Sequence, residues 1–159
     1  MTTPTPPRVE GYPAEVGSMP LGGFMDSLDF AFDLMSPDRL EAHIVTGPRH
    51  HQPYGIVHGG VYAAVVETMA SVGGALRTQA DGDVVVGISN TTDFLRAHRT
   101  GRLDCVAEPV HLGRSQQLWQ VTIVRPDDRK VVARGQVRLQ VIPGDRDLAG
   151  APATGEGGA

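Results

Sequence analysis

Residues 55–78 read GIVHGGVYAAVVETMASVGGALRT, and this stretch is the most informative part of the chain about its fold. After the His58-Gly59-Gly60 turn the side chains are apolar or small on nearly every side, which is typical of a helix buried inside a domain. Glu67 is the exception, because it stands in mid-helix with no Lys or Arg three or four positions away. Burying an unpaired carboxylate is costly. The helix therefore either turns this side to water or keeps Glu67 for chemistry.

Strand-like segments lie on both sides of this helix. Two precede it, at 28–35 and 40–46, and four follow it, at 84–94, 102–112, 116–125 and 131–142. Their regular spacing and the turns between them predict that the last four form an antiparallel meander. A helix that is apolar on every side cannot lie on a flat sheet without exposing half of itself. The sheet must therefore curl around the helix, or a second subunit must cover it.

The chain has 159 residues, which is the length of one domain. Residues 1–17 carry four prolines among polar residues and are predicted to be a disordered N-terminal tail. The single domain is expected at 18–143. Pro143-Gly144 ends the last strand, so 144–159, which is rich in Gly and Ala, is expected to be a flexible C-terminal tail.

The composition bears on partners and compartment. A net charge of -4 and the absence of a Lys/Arg-rich run give no electrostatic reason to bind nucleic acid. The single cysteine, Cys105, cannot form an intramolecular disulfide, so a reducing compartment is expected. The N-terminus lacks the apolar core of a secretory signal, and no apolar run approaches the length of a membrane span. These features predict a cytoplasmic protein that does not bind a membrane.

The central motif resembles a known family. Gly55-Ile-Val-His58-Gly59-Gly60, followed by Glu67 and then by Ser89-Asn90-Thr91-Thr92-Asp93-Phe94, is similar to the hotdog-fold acyl-CoA thioesterases. The resemblance is closest to the branch of the Arthrobacter-type 4-hydroxybenzoyl-CoA thioesterase, with the 1,4-dihydroxy-2-naphthoyl-CoA thioesterases as relatives, and it covers about 28–141. It implies an α+β hotdog fold, in which a curved antiparallel sheet of about six strands wraps around one long central helix. It also implies that two subunits join their sheets edge to edge, as a homodimer or a dimer of dimers.

The resemblance also implies roles for individual residues. Glu67 matches the catalytic carboxylate, which serves as nucleophile or general base, and Gly59 matches the residue whose backbone N–H binds the thioester oxygen. Gln52 matches a glutamine at the reacting centre, and Ser71 stands where the prototype has a threonine that helps to place the water. Four residues are candidates for contact with the substrate or its CoA group: Gly60, Asn90, Arg114 and Ser115. His58 is either a general base or, as we prefer, a structural residue that fixes the turn.

The spacing of the two main candidates has a geometric consequence. A helix start offers free N–H groups and the positive end of the helix dipole to an oxyanion. Gly59 and Glu67 are eight residues apart, which corresponds to about 12 Å along a helix. A reacting carbon must lie within about 3–3.5 Å of the attacking atom. One helix therefore cannot supply both groups, and the active unit is predicted to be at least a dimer with composite sites.

Other readings of the sequence remain open. A hotdog domain can bind acyl-CoA without turning it over, as a sensor or scaffold, or it can be a dehydratase or hydratase acting on an acyl thioester. An aromatic acyl group is suggested by Tyr62, Phe94 and Trp119, although each is equally suited to the core. The histidines at 50, 51 and 58 do not have the spacing of metal ligands. We therefore expect no metal and no cofactor, since coenzyme A is part of the substrate.

Overall fold

The computed structural model describes the chain at Arg8–Val9 and from residue 23 to residue 144. The predicted tails, 1–17 and 144–159, lie outside the described residues except for the strand Arg8–Val9 and for Gly144. Residues 18–22, at the start of the predicted domain, also lie outside them. The predictions of disorder at the two ends therefore stay predictions.

One long helix and seven strands make up the described fold. The helix is α1, Gly59–Thr78. The strands are β1 (Arg8–Val9), β2 (Phe30–Met35), β3 (Leu40–Thr46), β4 (Val84–Phe94), β5 (Gly101–Leu112), β6 (Gln116–Arg125) and β7 (Lys130–Ile142). The first strand, predicted at 28–35, begins in the structure two residues later, at Phe30. The reason is that Met25–Leu28 form a 3₁₀ turn that ends at Asp29 with φ +50°. The other boundaries agree with the predictions to within one residue.

The sheet has the order β1-β2-β3-β5-β6-β7-β4, and α1 packs against β4, β5, β6 and β7. The strands from β2 to β7 pair antiparallel, and the short β1 pairs parallel with β2. This confirms the α+β class with a six-strand curved antiparallel sheet around one central helix. The prediction of a four-strand meander is wrong for β4. The edge of β5 that a meander would offer to β4 is taken by β3, so β4 lies beside β7.

The C-terminal half of α1 touches the sheet through glycines. Gly73 and Gly74 are buried, and a Cβ built on Gly73 would lie 2.7 Å from the Trp119 ring and 2.8 Å from Leu40 Cδ1. A Cβ on Gly74 would lie 2.3 Å from Leu139 Cδ1. The glycine pair therefore lets the helix approach the sheet closely.

Replacing Gly73 by alanine is expected to destabilise the protein. The gain in helix propensity, up to about 1 kcal/mol, is outweighed by overpacking against Trp119, which costs about 1–3 kcal/mol. Denaturant unfolding measures the net loss. Gly47→Ala is the control, because a Cβ at Gly47 meets nothing within 4 Å. A Gly73→Ala variant more stable than the parent would contradict the close packing.

The strand β4 lies at an edge of the sheet. It pairs with β7 on one side, and no described residue pairs with its other side. It also exposes apolar side chains: Ile88 within the strand is 51% exposed, Phe94 at its end 57% and Leu95 just beyond it 51%. A long edge strand with apolar side chains is a surface on which another strand can pair.

Helix α1 is apolar enough to raise the question of a membrane. An 18-residue window within Gly59–Asp81 has a mean hydropathy of 1.2, which by length and composition suffices to span a bilayer. The prediction that no run reaches this length is therefore wrong for this segment. Half of the apolar window is buried inside the protein against the sheet, which is the position of a core helix.

Candidate active site

The start of α1 leaves one backbone amide free. The Nδ1 atom of His58 accepts a hydrogen bond from Gly60 N–H at 2.9 Å, and His58 O accepts one from Val61 N–H at 3.0 Å. The Gly59 N–H has no acceptor among the described residues. His58 therefore caps the helix, as the structural reading of this residue expects. Gly60 makes room for the cap, since a Cβ there would lie 2.9 Å from His58 Nδ1.

A cleft of about 410 Å³ opens at this helix start. Its wall combines the loop before α1, the first turn of α1 and the segment after β4. The lining residues used below are Gln52, His58, Gly59, Gly60, Tyr62 and Phe94. The structure thus brings four of the predicted site residues together, at positions 52, 58, 59 and 60.

Aromatic side chains shape this cleft. The Phe94 ring lies directly on Gly59, because a Cβ built there would be 2.6 Å from Phe94 Cε2. The ring centroids of Tyr62 and Phe94 are 6.1 Å apart. Tyr62 is 3% exposed and its hydroxyl has no partner among the described residues. Burial raises the pKa of Tyr62 to about 12 despite the nearby Arg125, so the hydroxyl stays protonated at neutral pH.

Glu67 lies two turns further along α1 and does not line the cleft. It is half-buried against β4, and its Oε2 accepts a hydrogen bond of 2.9 Å from Asn90 Nδ2. Its Oε1 lies over Gly87, where a Cβ would be only 2.2 Å away. The apolar helix therefore satisfies its one carboxylate through an amide side chain, not through a cation.

Asn90 is itself held from two further sides. Its Nδ2 also donates to Ala63 O at 3.1 Å, and its Oδ1 accepts from the Thr92 hydroxyl at 2.7 Å. Asn90 was expected to contact the substrate, whereas in this structure its amide contacts the carboxylate. The roles of Gly87 and Thr92 were missed by sequence reasoning, although Thr92 stands within the motif that carried the resemblance.

Three further predicted residues lie away from the cleft. Ser71 is half-buried one turn after Glu67, and its hydroxyl has no partner among the described residues. Arg114 and Ser115 form the exposed turn between β5 and β6, where Ser115 O accepts from Val141 N at 2.9 Å. This turn lies beside the beginning of β4, because Gln116 pairs with Gln140, which pairs with Val86. The cleft lies at the other end of β4, so one chain does not bring Arg114 or Ser115 to it.

The histidines before α1 have structural contacts. His50 Nδ1 accepts from Gly47 N–H at 3.0 Å, and His51 Nε2 lies 2.7 Å from Arg99 O. In the part of the chain that the structure describes, no group of three or more His, Cys, Asp or Glu side chains is placed to hold a metal ion.

His98 supports the wall of the cleft, since its carbonyl accepts from Val57 N–H at 2.9 Å. The pKa of His98 lies below the ordinary value of 6.5, mainly because burial disfavours the imidazolium. A hydrogen bond with Gly101 raises this pKa and the charge of Arg125 lowers it further, so that the net shift is downward.

The lowered pKa of His98 predicts a pH-dependent stability. Just below pH 6.5 the unfolded chain binds a proton that the folded chain does not, so the free energy of unfolding falls as pH falls. Thermal unfolding from about pH 7 to about pH 5.5 should show a smaller loss for His98→Gln than for the parent. An equal loss in both would contradict this linkage.

Comparison with known proteins places the chain in a family. Residues 54–132 match the model of the thioesterase superfamily. Over 119 residues the chain is 46% identical to "Putative esterase Rv1847" of Mycobacterium tuberculosis, a match that covers 74% of this chain and 84% of that protein. The chain belongs to the thioesterase superfamily of hotdog-fold proteins. The solved structure of Rv1847 agrees, with a TM-score of 0.73 over 76% of this chain and 96% of that one, at 44% identity.

Two further relatives of this hotdog protein carry functional names. The proofreading thioesterase EntH of Cronobacter sakazakii is 36% identical over 110 residues, covering 69% of this chain and 80% of EntH. The 1,4-dihydroxy-2-naphthoyl-CoA hydrolase of Escherichia coli is 35% identical over 108 residues, covering 68% of this chain and 79% of the relative. The suspected branch is thereby confirmed, and the chain is a thioester hydrolase.

Proposed function

We propose that this protein hydrolyses an acyl-CoA thioester with an aromatic acyl group, using Glu67 as nucleophile or general base and the Gly59 amide as oxyanion donor. The observation that carries the proposal is the N–H of Gly59 in the cleft at the start of α1, which has no acceptor among the described residues, whereas the next two amides, of Gly60 and Val61, donate to His58. A thioester oxygen gains negative charge when its carbon is attacked, and a free amide at a helix N-terminus stabilises that charge.

The chemistry consumes one water. Acting as a base, Glu67 takes a proton from water while the hydroxide attacks the thioester carbon and the oxyanion binds Gly59 N–H. The intermediate then expels the CoA thiolate, which receives the proton from Glu67. Acting as a nucleophile, Glu67 attacks the thioester carbon, the C–S bond breaks with release of the CoA thiolate, and an acyl anhydride forms. Water then hydrolyses the anhydride to the free acid and the Glu67 carboxylate, and the released proton goes to the thiolate. Mass spectrometry after rapid quenching distinguishes these routes, because only the second adds an acyl group to the chain.

The proposed site requires two subunits. On β4, Asn90 contacts Glu67 and Phe94 lies on Gly59, so the two half-sites follow one another along the same edge strand. Antiparallel pairing of β4 with its copy, about a two-fold axis between these positions, would bring the Gly59 of one subunit towards the Glu67 of the other. It would also carry the Arg114-Ser115 turn of one subunit towards the cleft of its partner. The unpaired edge and its exposed apolar side chains support this homodimer, which can pair further into a tetramer.

The aromatic preference rests on the cleft wall. Tyr62 and Phe94 present two rings beside Gly59, and rings of this kind pack well against a flat aromatic acyl group. The reaction as proposed uses only protein groups and water, without metal or redox cofactor. The single buried Cys105 supports a reducing compartment, and we propose the cytoplasm.

Release of free thiol tests the proposed function. Benzoyl-CoA, 1,4-dihydroxy-2-naphthoyl-CoA and a straight-chain acyl-CoA are compared as substrates. We expect thiol release from all three, with a higher kcat/KM for the aromatic esters. Binding without thiol release would instead identify a sensor, and gain or loss of water without free thiol would identify a hydratase or dehydratase. Faster hydrolysis of the straight-chain ester would overturn the aromatic preference alone.

A further inference from the structure

The two oxygens of the Glu67 carboxylate make different contacts with β4. Its Oε2 accepts a hydrogen bond from Asn90, whereas its Oε1 accepts none from the described residues. Oε1 is the oxygen that lies over Gly87. The two oxygens of one carboxylate therefore have different environments, one held and one free.

The amide that holds Oε2 is fixed in turn. Both of its N–H groups have acceptors, because Nδ2 lies 2.9 Å from Glu67 Oε2 and 3.1 Å from Ala63 O. The Thr92 hydroxyl donates to Oδ1 at 2.7 Å, which is possible only with the oxygen on that side. Thr92 therefore sets the orientation of the Asn90 amide, and Asn90 sets the position of the carboxylate.

Gly87 provides the space on the other side. A methyl group at this position would lie 2.2 Å from Oε1, too close for any carboxylate in this place. The backbone of Gly87 does not need a glycine for conformational reasons, because its φ is not in the left-handed region. The missing side chain thus serves the carboxylate and not a turn.

We infer that Thr92, Asn90 and Gly87 are positioning residues that fix Glu67 through its Oε2 and leave Oε1 as the oxygen that reacts. The inference rests on the proposed function of Glu67. Neither Thr92 nor Asn90 needs to touch the substrate for this role. The hydrogen bonds from Thr92 to Asn90 and from Asn90 to Glu67 form a relay. Loss of this relay should therefore lower kcat and kcat/KM together and leave KM unchanged.

Kinetics of β4 variants test the relay. Asn90→Leu should lower kcat about 10- to 100-fold, since it removes a hydrogen bond to a charged group and lets the carboxylate move. Thr92→Val should lower kcat about 2- to 10-fold, and Thr92→Ser, which keeps the hydroxyl, should restore it. Gly87→Ala should resemble Asn90→Leu. Thr91→Val is the matched control, because Thr91 points to the opposite face of β4, and it should leave kcat unchanged.

A double variant shows whether Thr92 acts through Asn90. In the Asn90→Leu background, Thr92→Val should cause no further loss, whereas multiplicative losses would mean that the two residues act independently. An unchanged kcat in Asn90→Leu, while Glu67→Gln is inactive, would overturn the relay and leave the proposed function intact.

A crystal structure of Asn90→Leu gives a readout that does not need activity. We expect the Glu67 carboxylate to leave its place over Gly87 or to occupy several rotamers. A carboxylate that stays in place would overturn the inference whatever the enzyme hydrolyses. A wild-type protein that releases no thiol would contradict the proposed function, and the crystal structure would still decide the positioning role.

Discussion

Glu67→Gln is expected to lower kcat for acyl-CoA hydrolysis by about 10²–10⁴-fold, the usual contribution of a general base. Glutamine has nearly the same shape and its carbonyl can still accept from Asn90, but it cannot take a proton from water or attack a thioester. Because Glu67 is half-buried and hydrogen-bonded, with no ion pair to any described residue, the fold should tolerate the change. Stopped-flow or steady-state thiol release measures kcat, and circular dichroism checks that the variant is folded.

The control for this prediction is Glu108→Gln. Glu108 lies on the exposed side of β5, where it pairs with Arg39, and its side chain is 57% exposed. A surface ion pair of this kind contributes at most about 1 kcal/mol, so activity should not change. Near-normal hydrolysis by Glu67→Gln would mean that Glu67 is only a hydrogen-bonded residue of the helix surface.

Gly59→Pro should lower kcat by about 10²–10³-fold, the effect of removing one oxyanion donor. Proline lacks the N–H that the proposed mechanism uses, and this N–H has no acceptor among the residues that the structure describes. Proline is also well suited to the first position of a helix. The preceding residue, His58, already has φ -68° and ψ 137°, a conformation that tolerates a following proline. The variant should therefore fold and lose activity.

Gly59→Ala separates the amide from the side chain. It adds a Cβ beside Phe94, as proline does, but it keeps the N–H. The Phe94 ring is 57% exposed and can move aside, so the loss should be much smaller than for proline. Equal losses in the two variants would assign the effect to displacement of Phe94 and would remove the Gly59 amide from the mechanism.

The central helix and its exceptional carboxylate were predictable from local sequence. An apolar stretch of this length with one unpaired Glu indicates a buried helix whose carboxylate either faces water or is kept for chemistry. The strand boundaries were also predictable, because turns mark them. The place of β4 was not, since pairing depends on which edges of other strands remain free after the sheet curls around α1.

The contacts of Asn90 could not be predicted because they depend on an irregularity in β4. The register shifts between Gly87 and Ser89, so that Gly87 pairs with Leu139 and Ser89 with Arg138. This bulge reverses the alternation, and the side chain of Asn90 faces α1 where regular alternation would place Ser89. Nothing in the local pattern of residues 84–94 marks that shift. The sequence motif was therefore recognised while its contact with Glu67 was missed.

In the proposed composite site, one subunit supplies the Gly59 amide and another supplies the Glu67 carboxylate. Mixed oligomers of Glu67→Gln and Gly59→Pro subunits, isolated with two different affinity tags, test it directly. Each variant alone should be nearly inactive. A heterodimer should recover about half of the wild-type activity, because one of its two sites combines an intact Gly59 with an intact Glu67. Heterodimers no more active than either parent would contradict the composite site.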